Sequence, residues 1–427
     1  MGTTTKKLLS NSGVVFSGTL LASVLSYLFN MLMGRMLGPV GYGEMTALMS
    51  LLMVLSVAGG ALTTIAMRYS GELYGRGDFS AIKKLLKIFT RYVFYFALVI
   101  FFIGIIFIKP LADFFSLDSL IPLFISLFSV FGGLLVLNNK GFLQGNQLFL
   151  PLSFVSIFEM ACRLALGIIL VKIGLALNGA LLAIVAATIL AYLISFIPLA
   201  KNLRKTNSKS DFHFNRREII NYSWPTLVAT IFLVLAINLD ILLIKHYFSP
   251  EEAGLYSAIS SIGKIILYLT APVITVMFPM ISEQQSRGEK HYRVFLFSLI
   301  LTLIAALTIL AVYVIAPGKV ISILYGQNYA GYFYLLPEIG LAVLFYSLAN
   351  LLVNYYLAVK RFAFLYIFAL ILLSQIIIIS IWHPSILAVV RVLIFTFALL
   401  FVLIFSQYLL SKKSAIIEQL RTARNEQ

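Results

Sequence analysis

Charged residues are scarce in this sequence. Asp, Glu, Lys and Arg make up 11% of its 427 residues, whereas about a quarter of the residues in soluble domains are charged. Hydrophobic residues reach 61%, and the mean hydropathy is +1.00. A helical crossing of a bilayer needs about 20 apolar residues, and runs of that length recur throughout the chain. The sequence therefore predicts an integral membrane protein.

Cysteine and histidine are also rare. Cys162 is the single cysteine, which excludes an internal disulfide and a cysteine metal cluster. The four histidines lack the H-E-x-x-H spacing, and no G-x-x-x-x-G-K-[ST] phosphate loop occurs. These absences disfavour an enzyme and any cofactor or metal. They leave a transporter, a channel or a membrane scaffold.

The long apolar runs predict an all-α fold with about twelve transmembrane helices. We expect an N-terminal six-helix bundle over 1–200, a basic cytoplasmic linker over 201–218, a C-terminal six-helix bundle over 219–410, and a cytoplasmic tail over 411–427. The predicted crossings are 12–34, 43–66, 88–108, 119–138, 149–171, 177–200, 219–244, 254–281, 294–316, 334–358, 362–382 and 386–410.

Lys and Arg are distributed unevenly among the predicted loops. Most of them lie on the side of the N-terminus, whereas the opposite loops hold only Arg35, Lys109, Lys172, Lys245 and Lys319. The positive-inside rule therefore predicts that both termini are cytoplasmic, in the cell (inner) membrane. The net charge of +16 is then explained by topology and attraction to anionic membrane lipids, not by nucleic-acid binding.

A short internal repeat suggests that the two halves are related. The segment PVGYGEMTA (39–47) is similar to PEEAGLYSA (250–258), and just upstream Asn30 aligns with Asp240 and Arg35 with Lys245. Six crossings separate the copies, so both halves would point the same way. This pattern predicts two bundles related by a pseudo-two-fold axis along the membrane normal, with the substrate site between them.

Three full charges fall near the middle of predicted crossings. Glu159 and Arg163 are four residues apart, which places them on one face of the fifth helix. Lys264 lies about 15 Å into the eighth crossing. Because charges at such depth are costly, they usually face a bundle interior or a watery cavity. The structural alternative is an ion pair within the fifth helix, and for Lys264 a partner on another helix.

Other polar residues lie nearer the membrane surfaces or are uncharged. Asp240, Arg35 and Arg391 are close to the outer ends of their helices, where the two arginines could instead extend their side chains into water. The neutral polar residues could line a cavity or form hydrogen bonds between helices. These neutral residues are Asn30, Asn350, Asn354 and Gln375.

The run from Phe142 to Leu190 resembles the fifth and sixth helices of the oligosaccharide-lipid (O-antigen) flippases. These form the polysaccharide-transport branch of the multidrug/oligosaccharidyl-lipid/polysaccharide exporter superfamily. GRMLGPVGYGEMTAL (34–48) is similar to the turn between the first two helices of that family, and LVNYYLAVKRF (352–362) to the turn after the tenth. The matching positions in the long run are Glu159, Arg163, Leu164, Leu166, Gly167, Leu170, Val171, Gly174, Gly179, Ala180, Leu181 and Ala183.

This resemblance implies an ion-coupled, alternating-access flippase for surface polysaccharide biosynthesis. It would move a polyprenyl-diphosphate-linked oligosaccharide from the cytoplasmic to the outer leaflet. We expect Arg163 and Lys264, with Arg35 and Arg391, to bind the diphosphate or an acidic sugar, since guanidinium and ammonium groups suit phosphate oxygens. Glu159 or Asp240 would couple transport to protons, with sodium as the alternative. A polysaccharide polymerase or glycosyltransferases are expected partners.

Three other functions fit parts of the sequence. A multidrug antiporter for organic cations shares the implied architecture, although a cavity lined by Arg and Lys should repel such cargo. A lipid II flippase also resembles this chain, but that group typically has two further helices, which we do not expect here. A membrane scaffold for glycan-assembly enzymes would gain little from charges at the midplane.

Overall fold

The computed structural model describes residues 3–203, 216–287, 289 and 291–425. Within these ranges every regular element is a helix, which confirms the predicted all-α fold. Residues 204–215 of the predicted basic linker lie outside the described residues, so a division of the chain at 201–218 stays a prediction. Helices α1 to α14 are Thr3–Gly75, Phe79–Ile106, Ile108–Phe114, Ile121–Gly145, Phe149–Leu170, Ala176–Leu203, Arg216–Tyr247, Pro250–Gly263, Ile265–Ser286, Tyr292–Ile315, Pro317–Leu324, Leu335–Ala358, Phe364–Ile381 and Ile386–Asn425.

Ten helical stretches of the described residues are long and apolar enough to cross a membrane. Two of them, Ser17–Val57 and Phe149–Lys201, contain 41 and 53 residues. At about 1.5 Å per residue both are much longer than a hydrocarbon core of about 30 Å. Each contains a glycine with positive φ, Gly38 at 69° and Gly174 at 96°, where the helix direction can change. With these two counted as double crossings, about twelve transmembrane helices are confirmed.

The eighth crossing differs from its prediction as one helix over 254–281. In the structure, α8 ends at Gly263 and α9 begins at Ile265, so that Lys264 lies at the break. A side chain at Gly263 would overlap Ile339 of α12, because a Cβ there would contact its Cγ2 atom. The close approach of α12 therefore explains the glycine, and the break places Lys264 where the regular helix is interrupted.

The chain forms two compact units. The first comprises the residues up to Val234 together with Ile241–Ala258 and Ser322–Gly331, and the second comprises Leu235–Asp240, Ile259–Ile321 and the residues from Tyr332 onward. In the first unit α1, α2, α4, α5 and α6 pack together. In the second unit α12 is the most buried helix and packs against α9, α10 and α14.

Candidate functional site

Glu159 of α5 forms an ion pair with Lys140 of α4. The Lys140 Nζ atom lies 2.7 Å from Glu159 Oε2, and the two side chains are 19% and 8% exposed. Helix α4 continues to Gly145, beyond its predicted end at 138, and so carries Lys140 on the helix instead of in a loop. Lys140, which the sequence places in a loop, is therefore a partner of Glu159 besides the intrahelical alternative Arg163. The carboxylate has an interhelical partner, and a short, charge-assisted hydrogen bond joins them.

Arg163, one turn further along α5, lies against an aromatic ring. Its guanidinium carbon is 4.4 Å from the centre of the Phe29 ring of α1, within the range of a cation–π interaction. One Nη atom is 3.3 Å from the Met49 sulfur. Gly167 leaves room for this ring, since a Cβ there would lie 2.7 Å from Phe29 Cε2. A half-buried guanidinium is thus held against an apolar surface.

Lys140, Glu159 and Arg163, which we call the first-unit charge cluster, carry two positive charges and one negative charge. The predicted polar residue Asn30 follows Phe29 on α1, but its amide donates to the Ser26 carbonyl of its own helix at 2.9 Å. The cluster therefore has a net positive charge, and its residues lie on two helical stretches that are long and apolar enough to cross a membrane. Such an arrangement favours an anionic ligand.

Asp240 and Lys264 belong to one cluster in the second unit. Asp240 of α7 accepts a hydrogen bond from Ser260 of α8 at 3.2 Å, and Lys264 donates to Asn238 of α7 at 3.3 Å. Asp240 also interacts electrostatically with Lys264. We call Asn238, Asp240, Ser260 and Lys264 the second-unit charge cluster. Sequence reasoning gave its two charged members separate roles and missed Asn238 and Ser260.

Three further predicted polar residues make short-range contacts. Gln375 of α13 is 1% exposed and donates to the Ala236 carbonyl of α7 at 3.3 Å. Asn354 of α12 donates to the backbone and side-chain oxygens of Asn350, both at 2.9 Å. Gln375 thus joins two helices one turn from Asp240, whereas the asparagines bond within their own helix.

Arg35 and Arg391 are exposed. The Arg35 guanidinium donates to the carbonyls of Leu324, at 2.9 Å, and Ile323. These carbonyls end helix α11, where backbone acceptors lack helical partners and a cation is favourable. Arg35 therefore stabilises a helix end in this structure, and its predicted substrate contact stays a prediction, as does that of Arg391.

No three His, Cys, Asp or Glu side chains come together as a metal site among the residues that the structure describes. The hydroxyl, amide and charged groups of the two clusters can instead bind an anion or exchange protons.

Solved transporter structures share this fold. An inward-facing multidrug resistance MATE family transporter of the MOP superfamily has a TM-score of 0.72 and 13% identity, covering 93% of this chain and 99% of its own. The lipid II flippase MurJ, in an inward closed conformation, has a TM-score of 0.69 and 15% identity, covering 92% and 87%. The Vibrio cholerae MATE transporter VcmN in its bent form has a TM-score of 0.65 and 15% identity, covering 96% and 98%.

These likenesses define a class: the chain has the fold of the MOP-superfamily transporters and flippases. A sequence-family match is more specific, since residues 8–285 fit the polysaccharide biosynthesis protein family. The chain belongs to that family. It is a multi-pass membrane protein, with ten helical stretches long and apolar enough to cross a membrane in the part of the chain that the structure describes. No curated protein sequence matches the chain significantly.

Proposed function

We propose that this protein is a flippase for a polyprenyl-diphosphate-linked oligosaccharide in surface polysaccharide biosynthesis. The observation that carries the proposal is the net positive first-unit charge cluster. Arg163 offers a planar fork of donors to phosphate oxygens, while Lys140 already compensates Glu159. The family match to polysaccharide biosynthesis proteins supports a glycan cargo.

The direction and location of transport follow from the charge distribution. The protein would lie in the cell (inner) membrane with both termini in the cytoplasm. It would move the substrate from the inner to the outer leaflet. Lys264 of the second-unit charge cluster is a second candidate for contact with the diphosphate or an acidic sugar during transport. Polymerases or glycosyltransferases would receive the exported glycan.

Ion coupling would use the carboxylates of the two charge clusters. Glu159 could exchange its Lys140 partner for a proton as the anionic substrate arrives, and Asp240 could do the same beside Lys264. Each carboxylate lies within reach of an ammonium group, so protonation would change the net charge of its cluster by one. A proton gradient is therefore our preferred driving force, and sodium is the competing one.

The rival cargoes differ in charge or head group. An organic cation would need an available carboxylate, but Glu159 pairs with Lys140, and Asp240 lies close to Lys264. Lipid II is itself a polyprenyl diphosphate, and the MurJ likeness makes it the specific second candidate. A scaffold would tolerate neutral residues at both clusters.

Ligand-dependent stabilisation in lipid nanodiscs tests the cargo. A ligand that binds the folded protein raises its free energy of unfolding by an amount set by the ratio of ligand concentration to Kd. We expect stabilisation by a polyprenyl-diphosphate oligosaccharide, weaker stabilisation by the polyprenyl monophosphate, and none by a dye cation.

Arg163→Ala should weaken diphosphate binding about tenfold, or about 1.4 kcal/mol, whereas the control Lys172→Ala removes an exposed cation and should not. Equal binding by Arg163→Ala and wild type would contradict the proposed site. Stabilisation by the cation alone would favour the antiporter, and tighter binding of lipid II would favour the cell-wall flippase.

A further inference from the structure

Three segments that are far apart in sequence meet within the first unit. They are the part of α1 around Gly38, the segment Ile241–Ala258 and the segment Ser322–Gly331. The charge distribution predicts that all three lie at the outer side of the membrane. Their contacts therefore hold together one end of the first unit, the end that we expect to face away from the cytoplasm.

Backbone contact between matching positions of the repeat joins two of these segments. Gly43 and Gly254 occupy the same position in the two copies of the repeat, and a Cβ on Gly43 would lie 2.8 Å from the Gly254 nitrogen and Cα. A Cβ on Gly254 would overlap the Pro39 carbonyl. Only glycine permits this approach, so the helix starts at 39–43 and 250–254 touch through their backbones.

Three buried tyrosines, which we call the tyrosine cluster, attach the third segment. The Tyr42 and Tyr325 hydroxyls are 2.9 Å apart, and the Tyr329 hydroxyl donates to the Gly34 carbonyl at 2.6 Å. Burial raises the pKa of Tyr329 above its ordinary value, so this hydroxyl stays neutral at physiological pH. The cluster supplies apolar area and hydrogen bonds but no titrating group near neutral pH.

The charged contact at this end is between Lys245 of α7 and Glu44 of α1. The Lys245 side chain is 1% exposed, and its Nζ lies 3.9 Å from Glu44 Oε1. This ammonium makes no hydrogen bond to any of the described residues. Its compensation is therefore Coulombic, from Glu44 and from Asp118, an exposed residue before α4 that interacts electrostatically with both. Removing charge from either carboxylate leaves a buried cation with less compensation, which is costly.

We propose that Glu44 is a proton-sensitive latch, whose ion pair with Lys245 holds the outer end of the first unit closed until a proton neutralises the carboxylate. Glu44 is 19% exposed, so its carboxylate is not sealed inside the protein. In the proposed step a proton from the solution binds a Glu44 carboxylate oxygen, and the contacts of the three segments weaken. The latch rests on the proposed transport function in one respect only, namely that its opening is a step of the transport cycle.

His246 is another ionisable group at this end of the first unit. It follows Lys245 on α7, its ring stacks on Phe114 at 4.1 Å, and its Nδ1 is 2.9 Å from the Phe114 carbonyl oxygen. Protonation of His246 or Asp118 could produce a similar acid response. The test therefore includes His246→Gln and Asp118→Asn.

The experiment measures how fast a membrane-impermeant maleimide labels a cysteine at the closed end. In a Cys162→Ala background, Ser257→Cys places the probe one turn beyond Gly254, where the serine is 1% exposed. Rates are divided at each pH by the rate for the exposed reference Ser385→Cys, since thiol reactivity itself depends on pH. We expect Glu44→Gln to accelerate labelling about tenfold at neutral pH, because one partner of the buried pair is lost.

The controls separate the latch from a general loss of structure. Glu251→Gln neutralises an exposed glutamate at the same end and should label at the wild-type rate. The exchange Glu44→Lys/Lys245→Glu restores opposite charges and should restore slow labelling. Acidification should accelerate wild type, His246→Gln and Asp118→Asn, but not Glu44→Gln.

Two results would overturn the inference. One is labelling of folded Glu44→Gln at the wild-type rate. The other is acceleration of labelling by acid that is lost in His246→Gln or Asp118→Asn but kept in Glu44→Gln. The assay contains no substrate. A protein with the expected labelling pattern that fails to bind or transfer lipid-linked oligosaccharide would refute the proposed function and leave the latch intact.

Discussion

Replacing Lys140 by methionine should destabilise the first unit strongly. Methionine keeps the length and apolar stem of the side chain but leaves the Glu159 carboxylate, which is 8% exposed, without its partner at 2.7 Å. Loss of one member of a buried pair costs about 3–5 kcal/mol. Because Lys140 is itself 19% exposed, water can partly replace it, and we expect about 3 kcal/mol, at the lower end of that range.

The double variant Lys140→Met/Glu159→Gln provides the internal comparison. Its side chains carry no uncompensated charge, so it should recover about 2 kcal/mol relative to Lys140→Met. The measurement is the free energy of unfolding in micelles, by denaturant titration of all four members of the cycle. The exposed Lys172→Met is the matched control and should change stability by less than about 0.5 kcal/mol.

A cost for Lys140→Met no larger than that of Lys172→Met would refute the interhelical ion pair. A large coupling between Glu159 and Arg163, with none between Glu159 and Lys140, would instead support the intrahelical ion pair that the sequence offers as an alternative. Either result would also mean that Lys140 does not neutralise the Glu159 carboxylate. Glu159 would then be available to bind a cationic cargo.

Two further predictions concern the other contacts. Gly254→Ala should cost about 1–3 kcal/mol through overlap with the Pro39 carbonyl, measured by denaturant titration. Gly318→Ala, which adds its methyl group to open space, should be nearly neutral, and equal effects would contradict the close backbone contact. Lys264→Met should lower the free energy of unfolding by about 2 kcal/mol, because it removes charge compensation from Asp240. The double variant Lys264→Met/Asp240→Asn should recover most of this loss. If the losses of the two single variants simply add in the same titration, the two groups do not interact.

The approximate number of membrane-spanning helices could be predicted from sequence because bilayer thickness sets the length of each apolar run. Gly38 and Gly174, where two long helical stretches change direction, lie between predicted crossings because each stretch is too long for a single crossing. The break at Lys264 could not be predicted in this way. The residues on both sides of it are apolar, so the run is long enough to cross a membrane whether or not the helix is continuous. The approach of Ile339 from α12 explains the glycine that precedes the break.

Pairings between helices could not be predicted. Glu159 had a cation four residues away in sequence, but its partner is Lys140 on the neighbouring helix, and helix packing is not visible in a local pattern. The repeat identified Gly43 and Gly254 as equivalent positions without indicating that they touch. Glu44 and Lys245 were separated by the assignment of one to a crossing and the other to a loop, although their side chains approach to 3.9 Å.

The most direct test of the proposed function is leaflet-to-leaflet transfer of a fluorescent polyprenyl-diphosphate oligosaccharide in proteoliposomes, under proton and sodium gradients. We expect transfer by wild type and by Lys172→Ala, and a loss of at least about tenfold in Arg163→Ala, which corresponds to about 1.4 kcal/mol. Folded wild type that transfers no lipid under either gradient, or Arg163→Ala that transfers it at the wild-type rate, would contradict the account.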